Sequence, residues 1–348
     1  DPPFPGGFGE GDPPTIPGFM ISKADGALLK ETGSTITMDP NDPELRIPLP
    51  DTKVDSSSRG PRQNDNYIKP DIGAPGASVS AEVGMGDGTT AFGGTSGTAP
   101  MVAGVAALLK QMSAAQPLTG ANTYFGSEMP VWMLKSLLMN TAQTEIWQDV
   151  PGGTLAPITR IGAGSVDALN AFKTQTVAWD ETDAWRDPRF RTGSMSFGYH
   201  PIDGHYVQYR YVVVANLSVE DRSYDLSWAF RYAEDADRGV ELELSNPYGL
   251  EPDKLLVPAN AYKWFLVTLK ANSRDLPPWN VFAFNKGVGG TDGEALTDYE
   301  FDGFITIDGG EDNTVQLPWH ILPKRAADIR PDTNFLAFSD DASTQELT

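Results

Sequence analysis

Cysteine is absent from the 348 residues. This excludes a disulfide framework, a zinc-thiolate site and a cysteine nucleophile, and leaves the redox compartment open. Basic residues are scarce, with 26 Lys and Arg against 47 Asp and Glu, a formal charge of -21. Such a surface repels a phosphate backbone unless a basic stripe compensates, and none is visible, so no nucleic-acid partner is expected. No apolar run approaches the roughly 18 residues of a spanning helix, so no membrane span is expected either. Histidine occurs only at His200, His205 and His320. What is present is ordinary for a folded chain: 40% hydrophobic, 10% aromatic and 21% charged residues. That composition excludes collagen, coiled-coil and disordered classes, and the length allows two or three domains with sizeable cores.

The opening DPPFPGGFGEGDPP lacks periodicity and reads as a surface loop or frayed end. Beyond it, Phe19 to Ser22 suggests a strand, Asp25 and Gly26 a turn, Ala27 to Glu31 a helical turn, and Ser34 to Met38 another strand. From about 50 to 174, glycine-rich loops alternate with three helix signals, the pattern of an α/β region. The strongest runs from about Gly97 to Met112 and has almost no polar face, which predicts burial on nearly all sides. Gly104 in its middle is costly by about 1 kcal/mol against alanine, which suggests another backbone packed close. A second helix starts at Pro130, and a third is capped by Ser165 and runs to Phe172. After about 175, alternation takes over: Tyr224, Leu226, Trp228 and Phe230 share one face, Asp225, Ser227 and Ala229 the other. Val207 to Val214, Tyr262 to Leu269 and Phe304 to Ile307 repeat the signal, which predicts a β-sandwich with most of its tryptophans in the core.

One constellation carries chemistry. In FGGTSGTAPMVAGVAALL, Phe92 to Leu109, a glycine-rich turn delivers Ser96 to the start of an apolar helix. A first helical turn has unpaired N–H groups and partial positive charge, so it can stabilise an oxyanion beside Ser96; Pro100 is expected in that turn, where its missing N–H has no cost. The same residues also suit a plain N-cap at Thr95 or Ser96, and local chemistry alone leaves both uses open.

GTSGTAPMVAG at 94–104 resembles the nucleophile motif of the subtilisin-like serine peptidases, the subtilase family, usually GTSMAAPHVAG. SSRGP at Ser57 to Pro61, KPDIGAPG at Lys69 to Gly76 and GAGSVDA at 162–168 resemble further family stretches in the same order. IPGFMISKADGALL is similar to the end of a protease-associated domain, and the strand-rich tail, with LPWHILPKRAADI at 317–329, to a fibronectin type III-like sandwich. The resemblance implies an α/β fold: the C-terminal half of a subtilisin-like parallel-sheet catalytic domain at 44–174. It would follow the end of a β-rich protease-associated domain at 1–43 and precede an all-β fibronectin type III-like sandwich at 175–335 and a tail at 336–348.

By the same resemblance Ser96 is the nucleophile of a serine endopeptidase acting through an acyl-enzyme, its own N–H is one oxyanion donor, and Gly94 and Thr95 shape the cleft. Departures are Gly93, Gly97, Thr98 and Met101, where the family has Ser, Met, Ala and a structural His. A serine nucleophile needs a histidine base and an orienting carboxylate. In the family both precede the serine, as does the oxyanion asparagine, yet no histidine precedes Ser96. The expectation is therefore an N-terminal fragment of the same precursor, carrying Asp, His and Asn, as partner to this chain. An α/β-hydrolase elbow fits poorly, because Thr98 fills the last glycine of GxSxG. His320 is expected to be structural. The resemblance further implies protein or peptide substrates, no organic cofactor, and an extracellular or cell-surface location. Calcium, common in secreted members, has no DxDxDG loop to hold it. Asn216-Leu217-Ser218 spells a glycosylation sequon. The rival expectation is a non-catalytic surface protein built on the same scaffold.

Overall fold

The computed structural model describes residues 49–249, 251–279 and 293–326, with Lys30 alone before them. The expected protease-associated elements and the tail lie outside the described residues.

The alternating half of the chain builds two facing sheets. One has four strands in the order β3-β5-β9-β7 and the other five in the order β4-β11-β10-β6-β8. The first comprises β3 (Thr176–Asp180), β5 (His205–Asn216), β7 (Val240–Ser245) and β9 (Ala261–Asn272). The second comprises β4 (Met195–Ile202), β6 (Arg222–Phe230), β8 (Lys254–Val257), β10 (Phe301–Asp308) and β11 (Thr314–Arg325). All pairings are antiparallel except that of β11 with β4. The period of two along β6 aims Tyr224 and Leu226 inward, where they meet Phe265, Val267, Ile305 and Trp319 in one continuous core.

The helices form a third layer on the outer face of the four-stranded sheet. They are α1 (Thr95–Ala115), α2 (Val131–Asn140) and α4 (Ala168–Lys173), whereas the single turn α3 (Ile158–Ile161) meets the five-stranded sheet, its Ile158 N–H donating to Asp302 of β10. Met133, Leu134 and Leu137 of α2 and Leu109 of α1 pack with Val177 and Trp179 of β3 and Val213 and Ala215 of β5. Trp179 thus leaves the sandwich core to face the helices, its ring centroid 4.9 Å from that of Trp132. Of the expected core tryptophans, Trp319 is buried and Trp228 packs on the core, whereas Trp185 is exposed. Asn140 ends α2 by binding both sheets, accepting from the Ala178 N–H at 2.8 Å and donating to the Gln316 carbonyl at 3.1 Å. Among the described residues no helix is long and apolar enough to cross a membrane.

Three expectations for the α/β region need correction. First, α1 is not enclosed. Gly97, Leu109 and Ser113 are its buried residues, Leu108 is 53% exposed, and among the described residues no atom beyond the helix's own backbone lies within 4 Å of where a Cβ on Gly104 would stand. A helix apolar on every side needs partners on every side, and here α2 and β3 supply one. Second, no parallel sheet forms among the described residues of this region. It contains one antiparallel hairpin, β1 (Ser78–Ala81) with β2 (Thr89–Phe92), and single parallel bridges at Thr52–Trp147 and Gly73–Ser165. Third, α4 is capped by Asp167, which accepts the Asn170 N–H at 2.9 Å. Ser165 cannot cap because its backbone is engaged in bridges to Gly73 and Gln143.

Candidate active site

Ser96 sits exposed in the first turn of α1. The loop before it turns at Gly94, whose φ of 76° is left-handed backbone that suits glycine. The Gly94 carbonyl then accepts the N–H groups of Gly97 at 3.0 Å and Thr98 at 3.3 Å. At the helix start the Ser96 N–H has no intrahelical acceptor and points toward the positive end of the dipole, the arrangement that favours a developing oxyanion. Pro100 falls past the first turn, not within it as the sequence suggested. Its missing N–H leaves the Ser96 carbonyl without a helical donor, which loosens the turn that carries the hydroxyl.

Small residues let this loop sit on the chain that precedes it. A Cβ on Gly97 would lie 3.1 Å from Ser78 Oγ and 3.3 Å from the Gly76 carbonyl, and one on Gly93 3.2 Å from that carbonyl. Thr98 Oγ1 donates to the Ala74 carbonyl at 3.3 Å. The segment 69–76 is held in turn by 162–168: Gly73 N–H donates to the Gly164 carbonyl at 2.7 Å, Val166 N–H to that of Gly73 at 2.8 Å, and Ala163 N–H to that of Asp71 at 3.0 Å. Gly164 has no room for a side chain, since a Cβ would collide with the Gln143 carbonyl. The Gly60 N–H donates to the Thr159 carbonyl at 2.8 Å, and Gly60 presses on the backbone of Lys69. All four motif stretches therefore meet in one stack behind Ser96.

The histidines are engaged elsewhere. His200 Nε2 lies 2.6 Å from the Phe197 carbonyl, and His205 is exposed at the start of β5. His320 is fully buried with Nε2 3.1 Å from Glu300 Oε2. Among the described residues no hydrogen bond joins any of them to Ser96. No group of three or more His, Asp and Glu among the described residues could hold a metal ion. Asn216 is fully buried and donates to the Glu220 carbonyl at 2.7 Å, so it is closed to glycosylation in this fold.

Sequence reading missed a buried ionic cluster between the helical region and the sandwich. Glu300 pairs with Arg59 of the SSRGP stretch and accepts from Thr159 Oγ1 at 3.0 and 3.1 Å, in addition to His320. Asp302, directly across from His320 in the β10–β11 ladder, accepts the Ile158 N–H at 2.6 Å through Oδ2, while its Oδ1 has no partner. Arg231 donates to three carbonyls of the helical region, those of Ala156, Thr144 and Ile146. Burial raises the proton affinity of Glu300, but the His320 hydrogen bond and the Arg59 charge outweigh it and hold the carboxyl below its usual range. Asp302 goes the other way, its pKa driven well up by burial and then by the nearby Glu300 charge. The two neighbouring carboxyls are thus pushed in opposite directions, Glu300 toward the ionised form and Asp302 toward the protonated one. Only His320, inside LPWHILP, and Arg59, inside SSRGP, stand in stretches that the sequence singled out, and neither stretch points to the other.

Residues 48–169 match the subtilase family. That segment of the chain belongs to the family. It is 30% identical over 228 residues to the minor extracellular protease Vpr of Bacillus subtilis, across 62% of this chain and 24% of Vpr. It is 27% identical over 269 residues to the C5a peptidase of Streptococcus pyogenes serotype M6, across 75% of this chain and 21% of that protein. The chain thus spans about a quarter or less of these relatives. Among solved structures, a family 123 glycoside hydrolase from Clostridium perfringens overlaps 45% of this chain and 28% of its own at a TM-score of 0.26 and 9% identity. That overlap says nothing of function. Within the subtilase segment lie Ser96 and the four stacked motif stretches.

Proposed function

We propose that this chain is the serine-bearing portion of a subtilisin-like serine endopeptidase, with the base, its carboxylate and the second oxyanion donor supplied by subtilase sequence upstream of it. The observation that carries the reading is the exposed Ser96, set on the N-terminus of α1 by a glycine loop seated on 69–76. Ser96 Oγ attacks the scissile carbonyl after yielding its proton to the upstream histidine. The carbonyl oxygen becomes an oxyanion facing the Ser96 N–H, and collapse to the acyl-enzyme expels the amine, protonated by the same histidine. Gly94 and Thr95 line the approach. The uncovered apolar faces of α1 are where the upstream part packs, so that the parallel sheet is completed jointly.

The remainder follows the same reading. Residues 1–43 close a protease-associated domain, and the sandwich at 175–335 is the fibronectin type III-like module. Substrates are peptides or proteins. The enzyme works outside the cell or on its surface, in keeping with the printed name of the extracellular relative Vpr. It needs no organic cofactor, and calcium is left to sites outside the serine loop.

Intact-mass analysis of the native material under denaturing conditions, paired with peptide hydrolysis, tests this proposal. The expected result is an Asp- and His-bearing subtilase segment in equal amount, joined to this chain or separate, and activity that Ser96→Ala lowers by about 10⁴-fold or more. Native material lacking that segment, or turnover indifferent to Ser96→Ala, would instead favour the non-catalytic scaffold.

A further inference from the structure

Glu300 belongs to the sandwich, yet two of its partners, Arg59 and Thr159, belong to the subtilase segment. It is 1% exposed and touches Arg59, Thr159 and His320 at once. Thr159 is fully buried and uses its two polar ends in opposite directions: Oγ1 donates to Glu300, and the main-chain carbonyl accepts the Gly60 N–H at 2.8 Å. Arg59, the neighbour of Gly60, also binds Thr297 Oγ1 at 2.9 Å. The loop 57–61 is therefore tied to the sandwich directly through the Arg59 side chain and, by way of Thr159, through the Gly60 backbone. Gly60 presses on Lys69, the segment from there to Gly76 is the seat of the serine loop, and Thr98 Oγ1 reaches Ala74. Each link is a hydrogen bond or a backbone contact with no space for a side chain between, so a displacement at Glu300 has little slack in which to dissipate.

We propose that Glu300, oriented by His320, is a positioning residue for Ser96, acting through Thr159, Arg59 and the seat at 69–76. The sandwich is then part of the catalytic apparatus. This inference rests on the peptidase reading above. Its chemistry explains why an ionised carboxylate is kept in a buried place: a guanidinium, a hydroxyl and an imidazole N–H converge on its two oxygens, and a carboxylate accepts all three without reorienting.

The test uses the full-length enzyme and a fluorophosphonate, with the folded fraction measured alongside. Thr159→Val removes a single hydroxyl of nearly constant volume. The expected result is a fall of about 10- to 100-fold in kcat and in the labelling rate per folded molecule, with KM little changed. Thr159→Ser restores both, and Glu300→Gln reproduces the loss. Wild-type rates per folded molecule in Thr159→Val and Glu300→Gln, or losses that follow only the folded fraction, would overturn the positioning role and leave the peptidase reading intact. A wild-type enzyme that the probe does not label would overturn both.

Discussion

Ser96 draws its properties from two features of its immediate neighbourhood, a left-handed glycine and a helix start. Gly94→Ala forces a Cβ into φ 76°, at a cost of about 1–2 kcal/mol that the loop relieves by shifting. We expect a lower rate of Ser96 acylation with little change in KM, measured by pre-steady-state kinetics. The glycine turn and the helix start were readable from the sequence because they are local and occupy consecutive residues, whereas the side-chain cap expected at Thr95 or Ser96 does not form: Gly94 is the N-cap and no side chain bonds there. The ionic cluster was not readable, because Arg59 and Glu300 are 241 positions apart and neither stands in a pattern that names its partner. A buried carboxyl elsewhere makes a separate prediction. Burial raises Asp235 to about 6 despite its pairing with Arg238 at 2.5 Å. A raised native pKa means that the native state holds the proton more tightly than the unfolded chain, so Asp235 opposes folding increasingly as pH rises from its ordinary value to about 6. Asp235→Asn should therefore raise the melting temperature more at pH 8 than at pH 4, as differential scanning calorimetry can check.

At the scale of elements, periodicity was a good guide to type and a poor one to environment. The strands at 207–214, 262–269 and 304–307 fall within β5, β9 and β10. Alternation reports directly which face is buried, and the facing sheet is encoded in the same stretch of chain. The apolar run of α1 reported the character of its surroundings and not which atoms provide them. Leu109 is 1% exposed and its neighbour Leu108 is 53% exposed. Leu109→Ala should cost about 2–5 kcal/mol in urea unfolding of the full-length protein. On the proposed assembly Leu108→Ala is nearly as costly there, because upstream residues cover that side. A cost within about 0.5 kcal/mol, the ordinary range for a surface position, would mean that the face is open to solvent. Trp179 is the corresponding keystone between helices and sheet, fully buried with Phe125 and Trp132 at 5.5 and 4.9 Å. Trp179→Ala should cost about 3–5 kcal/mol.

Across the whole molecule, the subtilase segment and the sandwich share one apolar cluster and one buried ionic cluster. They are therefore expected to unfold together. The two carboxyls of the ionic cluster give this joint unfolding opposite pH signatures. Glu300 has its native pKa lowered, so its stabilisation is present above its unfolded value and is lost as pH falls through the native one. Asp302 has its native pKa raised, so its contribution is full below its unfolded value and declines as pH rises toward the native one. Asp302→Asn keeps the neutral form and should flatten the decline in urea-derived stability that sets in as pH rises above the ordinary carboxylate range, while leaving the loss that Glu300 causes on acidification unchanged. Family membership was legible in the ordered motifs at 57–61, 69–76, 94–104 and 162–168, because each contains a glycine, Gly60, Gly73, Gly97 or Gly164, that another part of the chain approaches too closely for a larger residue. The dependence of that segment on a distant sandwich was not, since shared interfaces leave no period in either part.

The central claim is that Ser96 is an activated nucleophile in the assembled enzyme. The most direct measurement is fluorophosphonate labelling of the native full-length protein, followed by peptide mapping of the adduct. The account predicts a single modified residue, Ser96, with labelling abolished in Ser96→Ala and lost on denaturation. A native, folded protein that remains unlabelled, or that carries the adduct at another residue, would contradict it.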